Sequence, residues 1–542
     1  MRQCAERELK EGDKMVLKRK VYKMLESVVG PENISDDPVI LTVYSYQYLA
    51  DLANPESAKW MPAQPEAVIL PGSTEEIQEI VRICNKHNVK IKPHSTGWGF
   101  WSGIVTQGVI QMDLRRMNRI IEIDEKNMYA VVEPYVTAMQ LQVEAMKRGL
   151  DCAIIGAGPN HSVLASCTAM MGYGDKGYHT SMNNRNLLGV EWVTPTGEVL
   201  RLGSLGSKAG WFCGDGPGPS LRGLLRGWHG TMGGLGIFTK CATKLYPWAG
   251  PKKPEIRGQN PQYEMVVPEN FKIYTIYWEN WEQQADAMYK VSENEIGYII
   301  WRACTPMMIP LLLGKTNNEY YEMMKGIYDM IETYRYYFTV VLASESKREL
   351  EYQEKVLKSI VEETNGKYFE YILSENMPLI LLAIVTQCYN SRIFRLTGQF
   401  HTSFGAATSW DMSVKGAKIG EQIRKKYIEE EVFHDDGCGE NFWGGPYEHN
   451  KFSHFEGLFE YDPIDPESRK AARKYIEEAT IAVIENKIGV PIGPGPELAQ
   501  IFGPIYGNFH SWLGKIKKSF DPKNVSDHAF YAAPEEKPKE KD

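Results

Sequence analysis

What this chain lacks narrows its chemistry before any motif is read. Its nine cysteines are scattered over 542 residues without one Cys-x-x-Cys pair. That spacing supplies neither a structural zinc site nor an iron–sulfur cluster of the usual kind, both of which need thiolates in close sets. It reads as reduced thiols, and with no signal-peptide pattern at the start the expected location is cytoplasmic. Long apolar runs are missing too. The longest, Met307–Leu313 and Met377–Val385, fall short of the ~20 residues of a spanning helix. No transmembrane segment is expected, although peripheral membrane contact stays open. Lys and Arg number 61 against 69 Asp and Glu, a net charge of −8, which argues against a nucleic-acid partner and its basic face. There is no internal repeat.

What is present is ordinary in bulk. Hydrophobic residues at 43% and charged residues at 24% fit a soluble globular protein. A chain of 542 residues exceeds a single core, so two or three domains are expected. Thirteen Trp and thirty Tyr serve core and interface packing first and ligand stacking second.

The most informative stretch is Ile91-Lys92-Pro93-His94-Ser95-Thr96-Gly97-Trp98-Gly99-Phe100-Trp101-Ser102-Gly103. Its glycines let the chain curl and present backbone N–H groups to an anion. The residues before it read as a strand over Glu66–Leu70, a break at Pro71-Gly72, and a helix start at Ser73 with Glu76 at capping-box spacing. Ile77, Ile80, Val81 and Cys84 then recur at helical intervals. Val89-Lys90-Ile91 returns as a strand. The whole is a β-α-β unit delivering an anion-binding turn.

This unit resembles the pyrophosphate loop of flavin enzymes related to vanillyl-alcohol oxidase and p-cresol methylhydroxylase. The resemblance continues through Met112-Asp113-Leu114, Met117–Ile120, Ala130–Thr137, Ser162-Val163-Leu164, Gly172-Tyr173-Gly174, Gly189–Val193 and Gly233–Thr239. It covers roughly residues 65–248 and is faint beyond. It implies an α+β fold: a cofactor domain of two α+β subdomains, and a cap domain whose antiparallel sheet is flanked by helices. With the Pro/Gly boundaries at Gly250–Pro254 and Pro491–Pro496, the expected layout is an arm over 1–20 and a cofactor domain over 21–250. The cap would follow over 262–490, then a segment over 491–533 returning to the cofactor domain and a mobile tail over 534–542. Tyr320–Tyr337 and Lys347–Thr364 read as cap helices. The match of Gly172-Tyr173-Gly174-Asp175-Lys176-Gly177 to G-x-G-x-x-G is set aside as a nicotinamide site, because a loop and not an amphipathic helix follows it.

By resemblance the cofactor is FAD, contacted by Pro93, His94, Ser95, Thr96, Gly97, Trp98, Gly99, Ser102, Ser162, Gly172, Tyr173, Gly174, Gly236 and Ile237. The positions where relatives bond FAD through a histidine carry Trp98 and Leu458 here, so non-covalent FAD is expected, with His454 the fallback attachment point. The segment that bears an aspartate beside the flavin in the phenol oxidases is Gly156–His161 here, without a carboxylate. His161 is therefore a candidate base, with a buried hydrogen-bonded histidine as the bland alternative. Asn441–His449 and Ser453–Glu456 mix aromatic and ionisable groups as a substrate cavity does, which adds Tyr447, His449 and His454 as candidates. An aromatic domain interface would look the same. The loop His434–Asn441 reads as acidic surface; a metal set with His449 and His454 is its alternative, and no metal is expected.

The function these readings imply is an FAD-dependent dehydrogenase or oxidase acting on an alcohol or 2-hydroxy acid, with electrons passing to a protein, a quinone or oxygen. The expected partners are a small-molecule substrate and an acceptor protein such as an iron–sulfur subunit, with a homo-oligomer left open. Alternatives are oxidation of an alkylphenol or benzylic alcohol, a flavin-binding electron-transfer subunit of a larger complex, and a non-redox enzyme of the ether-lipid synthase type.

Overall fold

The helix Thr74–His87 sets the architecture of the first layer. Ser73 Oγ accepts from Glu76 N at 3.1 Å, and the Glu76 carboxylate accepts from Gly72 N at 2.7 Å, one residue earlier than a capping box would place it. Ile77, Ile80, Val81 and Cys84 are fully buried by this helix. It bridges two parallel strands, Val68–Ile69 and Lys90–His94, that do not touch. Val109–Asp113 lies between them and pairs with both, and Ile34–Ser35 pairs antiparallel at the far edge. In the computed structural model the described residues are 17–531 apart from 98, 157, 170–171, 205–207, 209, 212–219, 227–229, 260–262, 304–315, 370–371, 388–401, 436, 438 and 492–502.

A second, antiparallel sheet runs in the order Ile120–Asp124, Tyr129–Val132, Ile237–Lys244, Leu187–Val193, Val199–Leu202. Two sheets of different topology thus make up the α+β cofactor half. The expected loop after Gly177 instead contains two four-residue helical turns, Gly177–Thr180 and Asn183–Asn186. Neither is long enough to form the dinucleotide-binding helix that the glycine pattern would require.

Beyond Gly250 two four-stranded antiparallel sheets follow. One runs Ile299–Trp301, Tyr337–Ala343, Phe271–Tyr277, Lys367–Tyr368, and the other Trp443–Tyr447, Phe452–Phe459, Thr402–Thr408, Val490–Pro491. Reciprocal 3.1 Å backbone bonds between Arg302 and Gly444 join them edge to edge. The single expected sheet is therefore two sheets with a seam. The Arg302 side chain rivets that seam: it is fully buried and donates to the carbonyls of Phe442 and Arg335 and to Asn441 Oδ1, each at 2.7 Å, with its guanidinium 4.4 Å from the Phe442 ring centre. Its planar fork matches these acceptors, which offset part of the cost of burying the charge, and it stacks well on aromatic faces. Helices Trp281–Glu293, Lys347–Glu363, Trp410–Glu429 and Pro466–Glu485 contribute to the core on one face. The other face packs Trp301, Trp443 and Tyr447 with Met146, Tyr173 and Met182 of the cofactor half. The helix expected over Tyr320–Tyr337 runs over Asn317–Thr333, and Tyr337 begins a strand instead, where aromatic and β-branched side chains suit a pleated surface.

The chain then returns to the cofactor half. Helix Phe509–Phe520 stacks Phe520 on Trp192. The segment after it lies along the Lys90–His94 strand, with Ile91 N donating to Val525 O and Asp527 N to Ile91 O, both at 2.8 Å. Lys517 fixes this return. Its ammonium is fully buried and donates to Asp521 Oδ2 at 2.5 Å, Ser526 O at 2.7 Å and Gly234 O at 2.8 Å. Removing one member of a buried pair strands the other charge. Lys517→Ala is therefore expected to lower the unfolding free energy by about 3–5 kcal/mol, measured by urea denaturation, and to release bound cofactor earlier in the transition.

Candidate functional site

The glycine turn is built by backbone angles that side chains resist. Gly97 has φ of +74° and Gly99 of +66°. Ser102 Oγ lies 2.8 Å from Gly99 O and closes the turn, and Thr96 Oγ accepts from Ser162 N at 3.0 Å, tying the turn to the next segment. On the opposite side a Cβ on Gly233 would fall 2.9 Å from the Pro93 ring, and one on Gly236 would fall 2.4 Å from Val193 O. Gly236 N donates to Ser526 Oγ at 2.8 Å, so the returning C-terminal segment buttresses this side.

Between these two glycine segments lies a cleft that opens to solvent. Pro93, His94, Ser95, Thr96, Gly97, Ser102, Ser162 and Gly236 line it, as does His161. Among the described residues lining it there is no carboxylate, while Lys92 is present. Lys92 is buried, donates to Met232 O at 2.9 Å and lies 4.9 Å from the Phe530 ring centre; burial holds its pKa down at about 8. Lys92, Thr168, Thr231 and Met232 also line the cleft and were not picked out from the sequence. Gly99 shapes the turn without lining the cleft, and Ile237 is in the core beneath it. Trp98 lies outside the described residues.

Gly172, Tyr173 and Gly174 are not among the residues lining this cleft. A Cβ on Gly174 would fall 1.8 Å from Ile154 O, and one on Gly177 would fall 2.0 Å from the Tyr447 ring. Tyr447 Oη accepts from Gly174 N at 2.8 Å and donates to Gly174 O at 3.1 Å. Trp443 Nε1 donates to Asp175 Oδ1 at 3.0 Å. This loop is where the two halves meet.

The four candidate proton-transfer residues separate into three places. His161 is on the cleft wall with Nδ1 2.7 Å from Gly158 O, so Nδ1 carries the proton and Nε2 the lone pair; burial lowers its pKa to about 4. His454 and Tyr447 sit at the meeting of the halves. The His454 ring stacks on Tyr173 at 4.3 Å, edge-on to Trp443 at 4.7 Å and Tyr447 at 5.3 Å. Neither of its ring nitrogens has a hydrogen-bond partner among the described residues, and burial lowers its pKa to about 3. His449 is in a left-handed turn with Glu448 and Asn450, its N–H on Tyr178 O at 3.3 Å and its ring against Tyr178. The structure thus groups His454 with Tyr447 and leaves His449 at the outer end of that strand. Among the described residues no group of three or more His, Cys, Asp or Glu is placed to hold a metal, and no helix is long and apolar enough to cross a membrane.

The cleft fits FAD by its own chemistry. It offers a curled amide-rich turn, a cationic and carboxylate-free wall, and apolar surface from Leu114, Ile155, Leu164 and Phe238 for flat rings. Residues 65–203 match the family described as an FAD binding domain. The chain is 30% identical over 243 residues to the glycolate oxidase subunit GlcD of Bacillus subtilis, covering 45% of this chain and 47% of that one. It is 29% identical over 266 residues to the 4-cresol dehydrogenase [hydroxylating] flavoprotein subunit of Pseudomonas putida, covering 47% and 46%. These matches span about half the length of each relative. The fold matches that of p-cresol methylhydroxylase with substrate bound, at a TM-score of 0.71 and 18% identity over 94% of this chain and 95% of that one.

Gly97→Val forces a β-branched residue to a positive φ and drives its Cβ to within 3.0 Å of the His94 ring. The variant is expected to purify without flavin. Gly326→Val, on an exposed cap helix with open space around it, is expected to retain it. Flavin released from each protein on denaturation, quantified by fluorescence, makes the comparison.

Proposed function

We propose that this chain, which carries an FAD binding domain over residues 65–203 and the fold of p-cresol methylhydroxylase, is an FAD-dependent oxidoreductase acting on an alcohol or 2-hydroxy acid. When bound, FAD supplies the two-electron acceptor for a C–H bond beside a hydroxyl. The turn Pro93–Gly97 and the facing Thr231–Gly236 segment hold it, non-covalently, since Leu458 offers no nucleophile at the expected attachment point.

The observation that carries the reading is His161. It shares a wall with the glycine turn, its Nδ1 is fixed by Gly158 O, and its Nε2 is the basic atom. That arrangement provides an acceptor for the hydroxyl proton of an alcohol as the carbonyl forms. Because its pKa is about 4, the basic form is present throughout neutral pH, and the proton gained is shed readily. Tyr173, Trp443, Tyr447 and His454 pack against one another where the cap meets the cofactor half. Electrons leave to an acceptor protein, a quinone or oxygen.

Anaerobic mixing with hydroxy acids, benzylic alcohols and phenols tests the activity, because a substrate bleaches the flavin absorbance. Bleaching by at least one alcohol is expected; none by any class, with a flavin that dithionite still reduces, contradicts the proposal. His161→Asn is expected to slow the bleaching by ~10²–10⁴ with flavin content unchanged, as for loss of a positioned base. In the wild type the rate should be level from pH 8 to 5 and fall as His161 protonates near 4.

A further inference from the structure

His94 has a position that the turn alone does not require. It ends the strand Lys90–His94, lines the cleft, and its Cε1 and Nε2 lie 3.0 Å from where a Gly97 Cβ would stand. Its other edge faces the Ser102 carbonyl, with Nδ1 3.5 Å from that oxygen, and Tyr44 meets the ring edge-on at 5.7 Å. A neutral ring therefore carries its proton on Nδ1 and leaves the Nε2 lone pair on the side of the anion turn.

The charges around it are already committed. The Asp113 carboxylate accepts from Tyr44 Oη at 2.6 Å, from Arg115 Nη2 at 2.6 Å and Nε at 3.0 Å, and from Arg115 N at 2.9 Å. Lys92, on the same strand, is bonded to Met232 O. Before cofactor arrives, burial outweighs Asp113 and the Ser102 carbonyl, with Arg115 and Lys92 acting in the same sense as burial, and the His94 pKa lies below 6.5. At neutral pH the turn then presents a lone pair where a diphosphate's oxygens are also acceptors.

Resting on the reading that this cleft holds FAD, we propose that His94 takes up a proton when the cofactor's pyrophosphate binds beside it, so that the cofactor is held more tightly at low pH. Two phosphate charges entering a wall without carboxylates favour the imidazolium, whose Nε2–H donates a charge-assisted hydrogen bond. The sign follows from linkage. Binding raises the His94 pKa, so affinity is greatest and level below the cofactor-free value. It declines as pH rises from that value to the FAD-bound one, by at most about tenfold per pH unit for one proton. His161, at about 4, lies below this window, whereas Lys92, at about 8, contributes only toward its upper end, a share that persists when His94 is replaced.

The test is calorimetric titration of flavin-stripped protein with FAD between pH 5.5 and 7.5, in buffers of different ionisation enthalpy, which reports proton uptake directly. Uptake approaching one proton is expected near pH 7, with affinity falling at least fivefold across the range. In His94→Gln, whose amide donates without titrating, uptake should fall to the Lys92 share and affinity should be nearly flat. Should that variant fold poorly, His94→Asn and the wild-type proton count still decide. No uptake by the wild type, or undiminished uptake in a folded His94 variant, overturns the proposal.

Discussion

The contact on which the rest of the molecule depends is a tyrosine hydroxyl on a glycine backbone. Tyr447 Oη satisfies both the N–H and the carbonyl of Gly174, and there is room for its ring only because Gly177 has no Cβ. Buried backbone polar groups are expensive to leave unpaired, so the cap side chain completes the cofactor half's own structure. Neighbouring contacts extend the seam. Trp443 binds Asp175, and Glu448 accepts from Ser181 Oγ at 2.6 Å and Arg185 Nη1 at 2.8 Å. With the halves fixed in this way, the aromatic face of the cap has one position relative to the cleft.

The electrostatics of the cleft follow a second constraint. A polyanion is to be bound inside a protein with a net charge of −8, so the local field has to oppose the global one. Lys92 is on the cleft wall, and Lys517 lies beneath the facing glycine segment, bonded to Gly234 O. Of the acidic groups nearby, Asp113 is occupied by Tyr44 and Arg115, Asp521 by Lys517 and the N–H groups of Val525 and Ser526, and Asp527, which acts on Lys92, accepts from Thr106 Oγ1 at 3.2 Å. The C-terminal segment matters here because it brings Lys517 and Ser526 to a cleft whose other walls lie hundreds of residues earlier.

The parts legible in the sequence were those fixed by local rules. Helix Thr74–His87 follows from its capping residues and its buried stripe, and the turn at Gly97 from glycines that are needed at positive φ. What escaped were contacts between distant segments. Lys92 looked like an ordinary strand residue until Met232 and Phe530 were brought beside it. The glycines of Gly172–Gly177 suggest phosphate binding in sequence, yet Gly177 makes room for the cap's Tyr447 and Gly174 for the backbone at Ile154. Likewise Tyr447, His449 and His454 lie close in sequence, but a run of left-handed residues over Glu448–Asn450 sends His449 to the far end. Spacing along a chain does not reveal which face a strand turns to its neighbours.

The central claim is that the cleft between Pro93–Gly97 and Thr231–Gly236 holds one FAD without a covalent bond. The most direct measurement is to precipitate the purified protein with acid and assay both fractions for flavin. One equivalent of FAD per chain in the supernatant, with a colourless pellet, is the predicted result. A protein that contains no flavin and takes up none when FAD is added would contradict the claim, as would flavin that stays with the washed pellet.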